Sequence, residues 1–347
     1  MSPNLKISDF DFDLPQNLIA NKPSFPRDES KMIISNQQII SESQSKNLDQ
    51  FLNEGDVLIL NDSKVLKAKI IGYNQNGAKI NINLHQEKSD AIWQAFAKPA
   101  KRLKIGEKFS ISDDFYAIIK DKNQDGIVTL DFNIKGSDFF KKLDQYGQMP
   151  LPPYIKEEDK NSEENYQTIY ANKLGSVAAP TAGLHFTENL LERIKKKGVK
   201  IAFVTLNVGA GTFLPVKTEL IKDHKMHQEF FEINQQTCDI INEAKKNGNK
   251  IITVGTTSMR VLESVADDKG FLKEKFAKTD IFISPGYKFK IVDILMTNFH
   301  LPKSTLFMLI SAFIDIENAK KLYKFAIDKK YRFYSYGDCC LLYKSSF

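Results

Sequence analysis

Cysteine is scarce in this chain: Cys238, Cys339 and Cys340 are the only three among 347 residues. Three thiols with no C-x-x-C pair exclude a disulfide framework and fit a reducing cytoplasm. Long apolar runs are missing too. The longest, LFMLISAFI from Leu306 to Ile314, falls short of the roughly 18 residues that cross a bilayer and reads as a buried helix. The opening MSPNLKISDFDFDLP has neither the basic start nor the apolar centre of a secretion signal. Internal repeats and low-complexity tracts are absent. Gly209 and Gly211 lack the third glycine of a dinucleotide fingerprint, and Pro215 follows where that motif needs a helix. Charge of one sign is not in large excess. The net +6 permits a polyanionic partner without demanding one. Hydrophobic residues, at 42%, suffice for real cores, and the length predicts about two domains.

What is present divides the chain. In and after AKININ (Ala78–Asn83), Ile80, Ile82 and Leu84 share one side of a period of two, and in GIVTLDF (Gly126–Phe132) so do Val128, Leu130 and Phe132. The turn clusters NQNG and DKNQDG punctuate such runs. This pattern predicts a small antiparallel β-barrel or sandwich of about five or six strands, inserted at residues 64–148. On either side, strands such as KIAFVTL and KIITV adjoin helical patterns, which predicts an α/β main domain made of residues 1–63 and 149–347. Helices are expected over Thr187–Lys197 with Thr187 as N-cap, over Cys238–Lys246, after Ser304, and over Ile316–Asp328. The acidic run KEEDKNSEEN (156–165) reads as a solvated loop.

Several loops carry residues suited to a ligand. In VAAPTAGLHFTENLL, Thr181, Gly183, His185 and Phe186 stand at the mouth of a helix, and the small residues leave room for a ligand to approach the backbone. In VGTTSMRVLESV, a strand meets Thr256 and Thr257 at a helix start, an anion-binding arrangement, with Arg260 offering a planar fork for a carboxylate or phosphate. A capped helix with a surface arginine explains the same letters. TLNVGAGTFLPV supplies Gly209, Gly211 and Thr212. In DHKMHQEFFEI, the i, i+3 spacing can put His224 and His227 on one helical face, with Glu229 off it and a strand expected to begin near Glu229. An acid/base role for His227 or Glu229 is therefore favoured over a metal site. MTNFHLPKST adds Asn298, Phe299 and His300 before a helix. YRFYSYGDCC adds Arg332, Tyr334 and Asp338 among aromatics that suit either base stacking or a core edge strand. Asn61 and Asp62 end an apolar strand, a usual ligand position in α/β folds, and Arg27 and Asp28 lie near the start.

Ten stretches, in order, resemble one family. They are FDFDLPQNLIA, DVLILNDSKVL, GQMPLPPYI, YQTIYA, GSVAAPTAGLHFT, LNVGAGTFLPV, HKMHQE, GTTSMRVLES, TDIFISPGYKFKIVDILMTNFHLPKSTL and YRFYSYGDCCLL. The family is the S-adenosylmethionine:tRNA ribosyltransferase-isomerases of queuosine biosynthesis. The resemblance implies a barrel-like α/β main domain. It also implies that the ribosyl part of S-adenosylmethionine is transferred to 7-aminomethyl-7-deazaguanine at the wobble position of tRNAs with GUN anticodons. The ribose is isomerised, adenine and methionine leave, and epoxyqueuosine results. S-adenosylmethionine is then a consumed substrate, and neither cofactor nor metal is implied. His185, His227 and His300, with Glu229 and Asp338 behind them, are the expected catalytic residues. Arg260 with Thr256 and Thr257 is expected to hold the methionine carboxylate or a tRNA phosphate, and the other loop residues to bind substrate. Cys339 and Cys340 depart from the family's usual Ala-Met, and NDSKVLKAKI is richer in lysine than usual. A methyltransferase built on VGAGTF and a non-catalytic RNA-binding protein are the alternatives. A monomer in the cytoplasm, apart from membranes, is the default expectation.

Overall fold

The computed structural model describes residues 5–37, 39–123, 126–152, 154–155, 162–209, 216 and 218–345. In chain order, β1 (Lys31–Asn36) and β2 (Ile39–Gln44) form a hairpin, and β3 (Val57–Asn61) and β4 (Ser63–Val65) lead into an insertion. The insertion holds β5 (Lys69–Tyr73), β6 (Lys79–Ser89), β7 (Ile92–Lys98), β8 (Lys108–Ser110), β9 (Tyr116–Lys122), β10 (Ile127–Phe132), α1 (Gly136–Tyr146) and β11 (Gly147–Gln148). After α2 (Ser162–Asn165) and β12 (Lys173–Ser176) come α3 (Glu188–Lys196), β13 (Lys200–Leu206), β14 (Glu229–Ile233), α4 (Gln235–Lys246) and β15 (Ile251–Val254). The chain ends through α5 (Gly255–Val265), β16 (Lys275–Thr279), β17 (Ile294–Asn298), α6 (Thr305–Phe313), α7 (Ile316–Asp328) and β18 (Cys339–Tyr343).

Nine strands form the main sheet, in the order β16-β14-β13-β3-β15-β17-β18-β1-β2. Its centre is parallel, with β13 and β15 flanking β3 and β17 beside β15. Parallel neighbours need crossovers, which the segments containing α4 and α5 supply. The run Val-Leu-Ile-Leu in β3 is apolar throughout because both faces of the sheet are covered. Val57 and Ile59 enter the core beneath α4, α5, α6 and α7, while Leu58 and Leu60 enter a second core against Leu190 and Ile194 of α3. Cys340 and Cys339, adjacent in β18, enter these two cores separately, and burial pushes both thiols well above their usual range. Packing accounts for both cysteines.

The inserted strands close on themselves. The order β5-β6-β7-β10-β9-β8 is completed by pairing of Tyr73 with Ser110, so the first and last strands meet. Ile80, Ile82 and Leu84 on β6 and Val128, Leu130 and Phe132 on β10 fill this barrel, as their alternation predicts. Phe139 of α1 fits among Trp93, Phe115 and Phe132. An α/β body with an inserted antiparallel barrel is the expected architecture. The main sheet itself ends at β2 and β16, so among the described residues the closed barrel is the inserted one. Thr187 caps α3 by accepting from Leu190 N at 3.2 Å, as expected. Helix α4 starts earlier than its pattern suggests because Asn234 caps it, accepting from Thr237 N at 2.8 Å. Among the described residues, no helix is long and apolar enough to cross a membrane.

Candidate active site

Strand ends and helix starts converge on one side of the main sheet. β15 stops at Val254, Gly255 turns with φ at 83°, and α5 opens with Thr256 and Thr257. Thr181, Thr256, Thr257, Arg260, Asn298, His300 and Tyr334 line one hollow together with Glu229. A larger hollow of about 410 Å³ adjoins it, where His85 and Phe96 of the barrel face Gly209, His227 and Phe230 of the main body. Val208, Glu229, Arg260 and Leu306 line both, so the two share a wall. The larger volume lies within the roughly 300–1,000 Å³ typical of small-molecule sites.

Arg260 is the dominant charge of this wall. It is 7% exposed, and Nη1 donates to Glu229 Oε2. Its Nε and Nη2 have no partner among the described residues. Glu229 Oε1 accepts from Gly209 N at 3.2 Å, which ties the glycine loop to the same pair. Nearby, α5 has no side-chain cap, and Thr257 Oγ1 is buried without a partner among the described residues. Free helix N–H groups, a hydroxyl and two guanidinium N–H groups together select an anion, and the fork suits a carboxylate.

Behind the hollow runs a hydrogen-bonded chain. Ser45 Oγ donates to Asp28 O at 2.8 Å, so its contact with Ser30 Oγ at 2.7 Å must be donated by Ser30. Ser30 then accepts from His185 Nδ1 at 2.7 Å, which leaves His185 Nε2 to accept from Asn298 Nδ2 at 3.1 Å. Thr181 Oγ1 donates to Asn298 Oδ1 at 3.2 Å and completes the relay. His185 is therefore the neutral Nδ1–H tautomer, and it sets the orientation of Asn298. His300 lies in the hollow's wall, with Nε2 3.1 Å from Thr297 Oγ1 and its backbone N–H donating to Tyr323 Oη at 3.0 Å. His227 is exposed at the rim of the larger hollow, its ring 5.6 Å from that of His85.

Burial holds three imidazoles neutral. Desolvation lowers His185 and His300 to about 3, the former helped by Arg332. It lowers His85 to about 4, helped by His227 and Lys88. These folded values lie below the unfolded 6.5, so the unfolded chain takes up protons first. The stability that these groups contribute is complete above pH 6.5 and is lost as pH falls toward 4 for His85 and toward 3 for His185 and His300. Each group's loss is about 1.4 kcal/mol per unit of falling pH within that window. Melting temperatures measured from pH 7.5 to 5 should fall accordingly, and a flat profile over that range would contradict the burial assignment.

Other expected site residues stand elsewhere, each for a visible reason. Asp338 is turned from the hollow: Oδ1 accepts from Lys31 N at 3.0 Å and Oδ2 from Arg332 N at 2.8 Å. Arg332 is held by Asp338, by Lys22 O and by Ser24 Oγ. Arg27 donates to the carbonyls of Gln167 and Glu164 at 2.7 and 2.5 Å, and Asp28 accepts from Thr187 Oγ1 at 2.7 Å. Asn61 bridges to β13 through Leu206 N and O, and Asp62 accepts from Thr205 Oγ1 at 2.6 Å. Phe186 and Phe299 are core rings. His224 packs its ring 5.4 Å from that of Phe282, although its side chain borders the larger hollow. Gly211 and Thr212 lie outside the described residues.

Gly183 faces protein, not ligand. A Cβ there would meet Tyr170 Oη at 2.0 Å and Thr168 Cγ2 at 2.8 Å. Gly183→Ala is expected to cost about 1–3 kcal/mol through overpacking, read as a lower melting temperature, while the folded fraction keeps its affinity for substrate.

Two residues beyond those expected belong to the site. His85 enters from the barrel, with Nδ1 buried and without a partner among the described residues. Tyr154 backs the site by packing against Tyr334, the ring centroids 4.5 Å apart and the planes tilted by 44°. Tyr334 adopts φ of 76°, a left-handed backbone costing of order 1–3 kcal/mol that clusters at functional sites.

The model of the family described as "Queuosine biosynthesis protein" matches residues 7–342. The chain belongs to this family. Relatives of the family span nearly its whole length. The S-adenosylmethionine:tRNA ribosyltransferase-isomerase of Rickettsia bellii is 50% identical over 98% of this chain and 99% of its own. The same-named protein of Thermoanaerobacter sp. is 48% identical over 97% of this chain and 100% of its own. A crystal structure of the S-adenosylmethionine tRNA ribosyltransferase of Thermotoga maritima is 32% identical, with a TM-score of 0.56 over 96% of this chain and 100% of that one.

Proposed function

We propose that this chain is an S-adenosylmethionine:tRNA ribosyltransferase-isomerase. It moves the ribosyl part of S-adenosylmethionine onto the aminomethyl group of 7-aminomethyl-7-deazaguanine at the tRNA wobble position and isomerises it. Adenine and methionine leave. The observation that carries this reading is the convergence of Thr181, Thr256, Thr257, Arg260, Asn298, His300 and Tyr334 on one hollow, in a chain of this family.

The residues divide the work by their environment. Arg260 and Thr257, at the start of α5, receive the methionine carboxylate. The sulfonium beside it acidifies the neighbouring 5′ carbon, so a positioned base can take a proton there. The amine of the tRNA base must attack unprotonated, and adenine needs a proton as it departs. His300, held neutral by burial, serves as a hydrogen-bonding group in the wall. His227, exposed at the rim of the larger hollow, is the acid/base candidate. His185 stands behind the wall and positions Asn298. S-adenosylmethionine is consumed as substrate, and the protein works in the cytoplasm as a monomer on tRNAs with GUN anticodons.

The test is a product analysis of protein, S-adenosylmethionine and tRNA carrying the aminomethyl-deazaguanine base. Adenine and methionine in equal amounts are expected. S-adenosylhomocysteine would replace the reading with methyl transfer, and absence of any product would reduce it to binding.

A further inference from the structure

Phe276 of β16 is 73% exposed, although a large ring in a sheet normally finds cover. β14 and β16 pair with Phe230 opposite Lys278 and Glu232 opposite Phe276. That register puts Phe230, Phe276 and Lys278 on one face of the sheet. The other face, through Phe231, Ile233 and Ala277, packs into the core under the helices. On the open face the two phenylalanine rings lie 6.1 Å apart and 22° from parallel, with Lys278 Nζ 4.5 Å above the Phe230 ring. Lys173 adjoins them through Glu232, at 2.7 Å. Phe230 also lines the 410 Å³ hollow. The aromatic face therefore runs from the open sheet edge to the mouth of the candidate site.

We infer that this face is the platform for the anticodon loop of the substrate tRNA, an inference that rests on the reading of tRNA as substrate. A base that reacts inside a hollow has to leave its stack, and its unpaired neighbours then need another surface. Parallel aromatic rings with a cation above them are what single-stranded nucleotides bind, stacking on the rings while the ammonium meets a phosphate. The platform's continuity with the hollow places those neighbours beside the extruded base. Phe276 is the outer stacking residue and Phe230 the inner one.

The test uses the full chain, its Phe276→Ala and Phe276→Tyr variants, and an anticodon stem–loop RNA with 2-aminopurine next to the wobble position. The exposed ring covers no core, so both variants should melt as the wild type does. Phe276→Ala is expected to bind the RNA about 5- to 20-fold more weakly and to abolish the fluorescence quenching seen on binding. KM for tRNA should rise by the same factor while KM for S-adenosylmethionine stays constant. Phe276→Tyr, which keeps a ring, should retain affinity and quenching. Wild-type affinity and quenching in Phe276→Ala would overturn the proposal, and so would a change in oligomeric state, which would assign the face to a second copy of the chain. Wild-type protein that binds and quenches but releases no adenine would leave the platform standing and remove the ribosyl-transfer reading.

Discussion

Replacing Arg260 with alanine is expected to lower kcat/KM by about 10²- to 10⁴-fold, with most of the loss in KM for S-adenosylmethionine. The guanidinium is buried, and its Nε and Nη2 face the hollow's wall without a partner among the described residues. Hydrogen bonds to charged groups contribute about 1.5–3 kcal/mol each, and two are at stake. Arg260→Lys keeps the charge but cannot present two parallel donors, so its defect should remain large. Stability must be measured alongside activity, because the same substitution leaves Glu229 buried without its cation. Breaking such a pair costs about 3–5 kcal/mol. Arg260→Met combined with Glu229→Gln removes the orphaned charge and should recover the melting temperature while activity stays lost. An Arg260→Ala enzyme that folds and keeps the wild-type KM for S-adenosylmethionine would remove Arg260 from the ligand site.

The sequence pointed to Thr256, Thr257 and Arg260 through their place at a helix start; a second rule, that ligands bind beyond the carboxyl ends of parallel strands, also leads to this hollow. β15 and β17 run in parallel and deliver Gly255 to Thr257 and Asn298 to the same side. That rule misleads for Asn61, where the side chain fastens β3 to β13 instead of facing outward. Asp338 misleads similarly, since its carboxylate turns back onto the backbone donors of Lys31 and Arg332. His85 was hidden for another reason. The alternation of Ile80, Ile82 and Leu84 sends His85 to the outer face of the barrel, where a sequence reading expects solvent. On that outer face it meets the main body instead of solvent: its ring lies 5.6 Å from that of His227, and it lines a hollow with Gly209 and Phe230. The stretch YRFYSYGD fits neither of its two readings fully: Tyr331 and Phe333 are core rings, while Tyr334 turns into the hollow.

His185 offers the sharpest separation of positioning from proton transfer. Its two nitrogens are both engaged, Nδ1 with Ser30 and Nε2 with Asn298. Removing the ring leaves two buried polar groups without their partner, at about 1–3 kcal/mol each. His185→Ala should therefore melt well below the wild type and lose about 10- to 100-fold in kcat as Asn298 rotates away from Thr181. His185→Gln offers an acceptor to Asn298 but cannot also donate to Ser30, so it should recover part of both losses. Burial keeps His185 neutral throughout the working range. The pH dependence of kcat/KM should thus keep its shape in both variants, only scaled down. If His185→Gln abolished an ionisation between pH 6 and 8, the ring would be trading protons with substrate, and the relay from Ser45 to Thr181 would be a path for them instead of a brace for Asn298.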